Sequence, residues 1–190
     1  PEPDRVRCDR RHWLRMTGAL GLGALALASV PEVRVFARQL QDFIEGPPVP
    51  DIRPERLSEH VWMIYSKDGF PTPENQGMMA NVLFVVTRQG VVVMDSGGSL
   101  QIGEMAIRMI RTVTDKPVVA VLNSHYHGDH WLGNHAFANA YGKDLPIYAL
   151  AHTVEQIKGT EGNLWRSLME RWTNQATMGT QVVAPNRAVE

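Results

Sequence analysis

The uncharged apolar run Val118-Val119-Ala120-Val121-Leu122 opens directly onto Asn123-Ser124-His125-Tyr126-His127-Gly128-Asp129-His130, and that junction limits the fold more than any other stretch of the chain. Five apolar residues, three of them valine, read as a buried strand. The exit from that strand carries four side chains of metal-ligand type within six residues. In an extended segment residues two apart point to the same side, so His125 and His127 can hold one metal together. Gly128 then permits a turn, after which Asp129 and His130 can face a second metal nearby, the paired arrangement that clamps attacking and leaving oxygens in hydrolysis. Imidazole and carboxylate are donors that zinc accepts. A polar surface loop, or core histidines bonded to backbone, would account for an isolated His-x-His; the intact His-x-His-x-Asp-His behind a strand favours metal.

On either side of this junction the apolar periodicity alternates between strand and helix types, the pattern of layered α/β architecture. Residues 60–66 predict a first strand. Residues 81–87 and 91–95 are β-branched runs joined by Arg88-Gln89-Gly90, which predicts a hairpin. Ser99 can cap a helix whose apolar positions Ile102, Ala106, Met109, Ile110 and Val113 recur at helical spacing and which must end before Pro117. Further strands are expected at 117–123 and 145–150, and short helices at 131–141 and 164–174. No internal repeat or low-complexity tract interrupts them. Residues 45–54 hold four prolines, which excludes both helix and central strand and marks the end of a linker spanning 29–56.

The amino-terminal residues read differently. Arg5, Arg7, Arg10, Arg11 and Arg15 precede an apolar stretch at 16–30 that is shorter than the roughly 20 residues a membrane-spanning helix needs. Residues 1–28 are therefore expected to be a signal peptide, with Ala26-Leu27-Ala28 as the small-x-small cleavage site and Ala37 as a second choice. Within it, Arg10-Arg11-His12-Trp13-Leu14-Arg15 resembles the twin-arginine export signal, an ordinary secretory signal or an uncleaved anchor being the alternatives. The expected location is periplasmic or secreted, with no stable membrane span after cleavage. Cleavage would remove Cys8, the only cysteine, so the body would have neither disulfide nor thiolate ligand. It would also take away five bases and three acids, leaving a net charge of about −3. A mildly acidic body offers no basic surface for nucleic acid, which leaves a small-molecule substrate as the expected partner.

With these residues in view, the motif resembles the metallo-β-lactamase superfamily. Val92-Val93-Met94-Asp95-Ser96-Gly97-Gly98 looks like its strand-Asp-Gly signature, and Lys116-Pro117-Val118 and Trp131-Leu132-Gly133-Asn134 are lesser matches around the motif. The resemblance covers residues 57 to about 155. It implies an αββα sandwich with a dinuclear zinc site at one edge, His125 and His127 on the first metal, Asp129 and His130 on the second. Asp129 is also implied as the catalytic residue, and Asp95 as the carboxylate that orients the site; a strand-end cap is its simpler role. Asn75-Gln76-Gly77-Met78-Met79-Ala80-Asn81 resembles the SoxH-like group found with sulfur-oxidation and quinoprotein systems, and its loop is a candidate wall of the substrate cleft.

The implied activity is hydrolysis of a thioester, ester or lactam by hydroxide formed on zinc, which lowers the pKa of bound water to about 7. The family pattern also asks for a third histidine, a bridging acid and a last histidine downstream, and no histidine follows His152. Residues 57–190 accordingly read as an incomplete domain, the amino-terminal half of the sandwich, with weak activity alone. His152 can be drafted as a third ligand, although its position matches a structural histidine; His60 and His135 read as surface or packing residues. Two alternatives remain at this level: a non-catalytic metal-binding remnant, and an iron-dependent sulfur oxidoreductase on the same scaffold. His127 stands where flavodiiron-type members carry glutamate, but persulfide dioxygenases with one iron keep histidine there, so iron is not excluded.

Overall fold

Seven strands lie side by side in chain order in one mixed sheet: β1 (Glu55–Arg56), β2 (Val61–Ile64), β3 (Val82–Val86), β4 (Val91–Met94), β5 (Val118–Leu122), β6 (Ile147–Leu150) and β7 (Arg187–Val189). This computed structural model describes residues 44–190. The expected signal peptide at 1–28 and the linker up to residue 43 lie outside the described residues. Strands β1 to β4 run antiparallel and β4 to β7 parallel. Parallel neighbours cannot be joined by a tight turn. The chain therefore crosses back through α1 (Leu100–Val113), α2 (Asn134–Tyr141), and the pair α3 (Ala151–Gln156) and α4 (Gly162–Trp172).

Period-two alternation decides which strand residues enter the core. Val82, Phe84, Val91, Val93, Val121 and Ile147 are buried, and pack with Leu100, Ile102, Met105, Ala106 and Ile110 of α1 in one cluster. Trp62 stacks on Phe84 with ring centroids 5.8 Å apart, in the cross-strand register that places Trp62 opposite Phe84. The alternate strand residues emerge on the other face, where Val85 is 36% and Leu150 53% exposed. Helix α1 starts as expected, with the Ser99 hydroxyl accepting the Ile102 N–H at 3.2 Å, and stops at Thr114, three residues before Pro117. Each fully buried Ile or Met on it contributes roughly 1.5–3 kcal/mol.

The architecture is the expected α/β one, a helix-covered sheet, with several shifts of detail. Ordered pairing begins at Glu55, inside the stretch read as linker, because β1 hydrogen-bonds to β2. Helix α2 begins at Asn134 rather than at residue 131, since 128–130 form a 3-10 turn that runs on through Gly133. A kink within Ile157–Glu161, where Gly159 has non-helical backbone angles (φ −80°, ψ −135°), separates α3 from α4. Among the described residues no helix is long and apolar enough to cross a membrane.

Topology places the functional loop. Since β4, β5 and β6 are parallel, the residues leaving them gather at one edge of the sheet. Strand β2 runs in the same sense as β4, so the 65–81 connection from β2 to β3 sits at that edge as well. In sheets of this kind the edge beyond the strand carboxyl ends is where ligands bind.

Candidate metal centre

The segment 123–130 leaves β5 at this edge and is braced from below before any site chemistry is considered. Trp131 is fully buried and its indole N–H donates to the Tyr126 carbonyl at 2.8 Å, pinning the middle of the loop. The Asn123 amide donates to the His130 carbonyl at 3.1 Å and exchanges hydrogen bonds with Asn134, which also donates to the Val183 carbonyl at 3.0 Å. Ser96 completes this buried polar network by donating to Asn134 at 2.9 Å. Every member is satisfied, so the network rigidifies the loop rather than weakening the core.

Gly128 has a reason the sequence did not disclose. The chain turns there as expected, into the 3-10 segment Gly128–His130, without a positive φ. A Cβ at this position would instead lie 2.7 Å from the Cβ of Trp165 and 2.9 Å from Leu132, so glycine is what lets α4 approach the loop.

His125, His127 and His130 form a cluster, with ring centroids 4.7 Å apart for His125–His127 and 4.1 Å for His125–His130. Asp95, at the end of β4, reaches them from the neighbouring strand. Its backbone is held at φ 56°, a left-handed conformation that aspartate tolerates better than most residues. From there its carboxylate accepts the Ser124 backbone N–H at 2.8 Å and the Ser124 hydroxyl at 2.9 Å, and takes His130 Nδ1 at 2.8 Å. That contact assigns the Nδ1 proton to the Asp95 hydrogen bond and leaves His130 Nε2 facing the cluster, where Asp129 Oδ2 lies 3.0 Å away. Ser124, which the sequence reading did not single out, also lies 3.0 Å from His125 Nδ1 and so links Asp95 to two of the three histidines.

The electrostatics follow from this geometry. Burial opposes a charge on His130, but hydrogen bonds to Asp129 and Asp95, with their charges, raise its pKa to about 9. Burial likewise works against the Asp129 carboxylate, and the His130 partner overrides it and holds the pKa below the usual value. His125 is pushed down, by burial first and then by the neighbouring imidazoles.

Asp129, His125, His127 and His130 are thus brought together, whereas His152 sits exposed on α3 and outside the ring cluster. His60 is a surface residue beside Glu59, and His135 is buried in α2, matching their reading as surface and packing histidines. Among the described residues no three histidine, cysteine, aspartate or glutamate side chains are gathered closely enough to hold a metal ion as they stand. The physical reason is visible: Asp129 and His130 are turned onto one another. The donor set nonetheless fits zinc in type.

Above the cluster stands α4. Trp165 lies 4.8 Å from the His127 ring, and Met169 is buried beneath the loop in a second small core with Trp131, Leu132 and Ile157. The sequence pattern predicted this helix but not which side of it meets the histidines.

A metallo-beta-lactamase from Cronobacter sakazakii is structurally similar with a TM-score of 0.51 and 16% identity, over 73% of this chain and 48% of that one. A metallo-beta-lactamase from Erythrobacter litoralis aligns with a TM-score of 0.47 and 19% identity, over 72% and 49% of the two chains. A linear primary-alkylsulfatase from Pseudomonas sp. (strain ATCC 19151) is 28% identical over 79 residues, 40% of this chain and 15% of that protein. The chain thus spans about half the length of those lactamases and 15% of the alkylsulfatase. The family model of the metallo-beta-lactamase superfamily matches residues 76–172, a range that contains both the Asp95 strand end and the whole histidine loop, and by that match the chain belongs to the metallo-beta-lactamase superfamily.

Proposed function

We propose that the chain carries a zinc centre of a hydrolase acting on a thioester, ester or lactam, with His125, His127, Asp129 and His130 as ligands and Asp95 as the residue that orients them. One observation carries this reading: the rings of His127 and His130 lie 4.7 and 4.1 Å from that of His125, and Asp95 holds His130 Nδ1 at 2.8 Å from behind. A carboxylate behind a ligating histidine fixes its ring orientation and raises its basicity. When bound, zinc supplies the Lewis acid that makes water nucleophilic near neutral pH and polarises a carbonyl.

The chain's own residues do the rest. Asp95 holds His130 Nδ1, so that Nε2 alone is presented to the site. Asp129 is kept ionised, so its carboxylate can hold zinc and accept a hydrogen bond from an attacking water. Trp131 and Leu132, fully buried beneath the loop, keep bulk water from its underside. No serine or cysteine nucleophile is required.

Zinc returned to metal-stripped protein should bind, and hydrolysis of a simple thioester, ester or lactam should then exceed the chelator-treated control. His125→Ala combined with His127→Ala should remove both. Zinc binding with no turnover on any of the three would favour the metal-binding remnant. Iron retention together with oxygen uptake on a persulfide would favour the oxidoreductase. The similarity to a linear primary-alkylsulfatase supports sulfate esters as a second substrate class for the same assay.

A further inference from the structure

Residues 49–52, on their way into β1, and the chain on either side of Gly69 leave an open cleft of about 380 Å³ between them. Pairing on β2 stops at Glu55, next to Pro54, which has no N–H for the ladder, and the sheet edge beyond it is left to this cleft. Val49 and Met78, each 4% exposed, form its floor with Ile52, which packs on the main core. Tyr65, exposed at the end of β2, stands at its side. The charged lining is Asp51, Lys67, Asp68 and Glu74. Asp51 is already neutralised by Arg108 at 2.8 Å. Asn75, next to Glu74, donates to Asp68 Oδ2 at 3.2 Å and so draws the other two acids onto one wall without supplying a charge. Two carboxylates therefore stand against the one charge of Lys67. Gln76 ties this wall to the incoming segment by donating to the Pro47 carbonyl at 3.3 Å.

We infer that this cleft binds an organic ammonium ion, an amine carrying a compact apolar or aromatic body. Small-molecule sites have volumes of roughly 300–1,000 Å³, so the cleft has room for a molecule and is too wide to hold a bare cation. The floor of Val49, Ile52 and Met78 takes the apolar body out of water. The charge meets two kinds of partner at the rim. Asp68 and Glu74 accept charge-assisted hydrogen bonds from an ammonium group, and the Tyr65 ring attracts a cation to its face. An anion of the same shape would meet the two carboxylates, and a neutral one would gain from neither partner. No residue lining the cleft belongs to the 123–130 loop, so the inference stands apart from the hydrolase reading.

The test is calorimetric binding, at about pH 7, of three probes of one shape: 2-phenylethylamine, which is protonated there, neutral 2-phenylethanol and anionic 3-phenylpropionate. The amine should bind about tenfold more tightly than the alcohol, the combined effect of a ring and two carboxylates, and the anion more weakly still. Added salt should weaken the amine alone. Asp68→Asn combined with Glu74→Gln keeps the acceptor for Asn75, so the loop stays folded; it should bring the amine down to the affinity of the alcohol, to within about threefold, and leave the alcohol unchanged. Glu155→Gln makes a charge change on the exposed side of α3, far from the lining, and should alter nothing. The affinities should be the same in zinc-loaded and metal-stripped protein. No binding by any probe, equal binding of amine and alcohol, or an amine affinity that survives the double variant would overturn the site. So would an equal loss in Glu155→Gln, which would make the attraction that of net charge, or a dependence on zinc, which would seat the amine at the histidine cluster. Because the readout is binding away from zinc, loss of turnover on every ester would sink the hydrolase reading and leave this site standing.

Discussion

At the scale of single residues, Asp95 offers the sharpest separation of function from folding. Asn tolerates the same left-handed backbone as Asp, so Asp95→Asn should preserve the strand end at φ 56° while replacing the carboxylate that takes His130 Nδ1 at 2.8 Å. Loss of such a supporting contact weakens metal affinity by about 10–100-fold. Zinc competition against a chelator should show that loss with little change in the unfolding midpoint; an unaltered affinity would reduce Asp95 to a strand-end cap. The histidine loop and its Asp95 partner were legible in the sequence because His-x-His-x-Asp-His is a local pattern behind a local strand. Ser124 was overlooked although it lies next to the motif, since a serine before a histidine carries no signal until Asp95 is seen to face it at 2.9 Å. The packing role of Gly128 was hidden for the opposite reason: the Trp165 side chain that forbids a Cβ there belongs to a distant helix.

At the scale of elements, α1 and α2 touch through glycine. A Cβ on Gly103 would stand 2.6 Å from the Gly133 carbonyl oxygen and 2.7 Å from the Ala136 Cβ, so α1 and the start of α2 pack almost backbone to backbone. Alanine is the better helix former by about 1 kcal/mol, but overpacking costs about 1–3 kcal/mol when backbone is the obstacle. Gly103→Ala should therefore destabilise the chain by about 1–2 kcal/mol, read from denaturant midpoints. A rise in stability would mean that the helices separate at no cost. The helices with strong apolar periodicity were readable in advance, α1 almost to the residue. The kink at Gly159 and strand β7 were not. Three exposed residues in β7 have no apolar alternation to read, and the strand exists because its backbone pairs with β6.

At the scale of the molecule, α/β layering was evident from alternating periodicities. What the chain does after α4 was not, because its anchors are isolated polar contacts and the short run Val182, Val183 and Ala184, which packs on both cores without any periodicity. Thr180 accepts the Leu100 N–H at 3.0 Å, and the Gln181 N–H donates to His135 Nδ1 at 3.2 Å. The second of these makes global stability depend on pH. His135 is 8% exposed, and burial holds its pKa below the usual histidine value against the smaller opposing pull of Glu45. In the unfolded chain the ring takes up a proton near pH 6.5. Below that pH the unfolded state binds a proton that the folded state refuses, so stability falls as pH drops and levels off only beneath the depressed folded value. Above it the ring is neutral in both states and contributes no slope. His135→Asn keeps an acceptor for Gln181 but cannot titrate. Urea midpoints of the two metal-stripped proteins at about pH 7.5 and about pH 5 should therefore show wild type losing more stability on acidification than the variant. Parallel losses would show that protonating His135 costs the fold nothing, the segment at residue 181 being held by its other contacts.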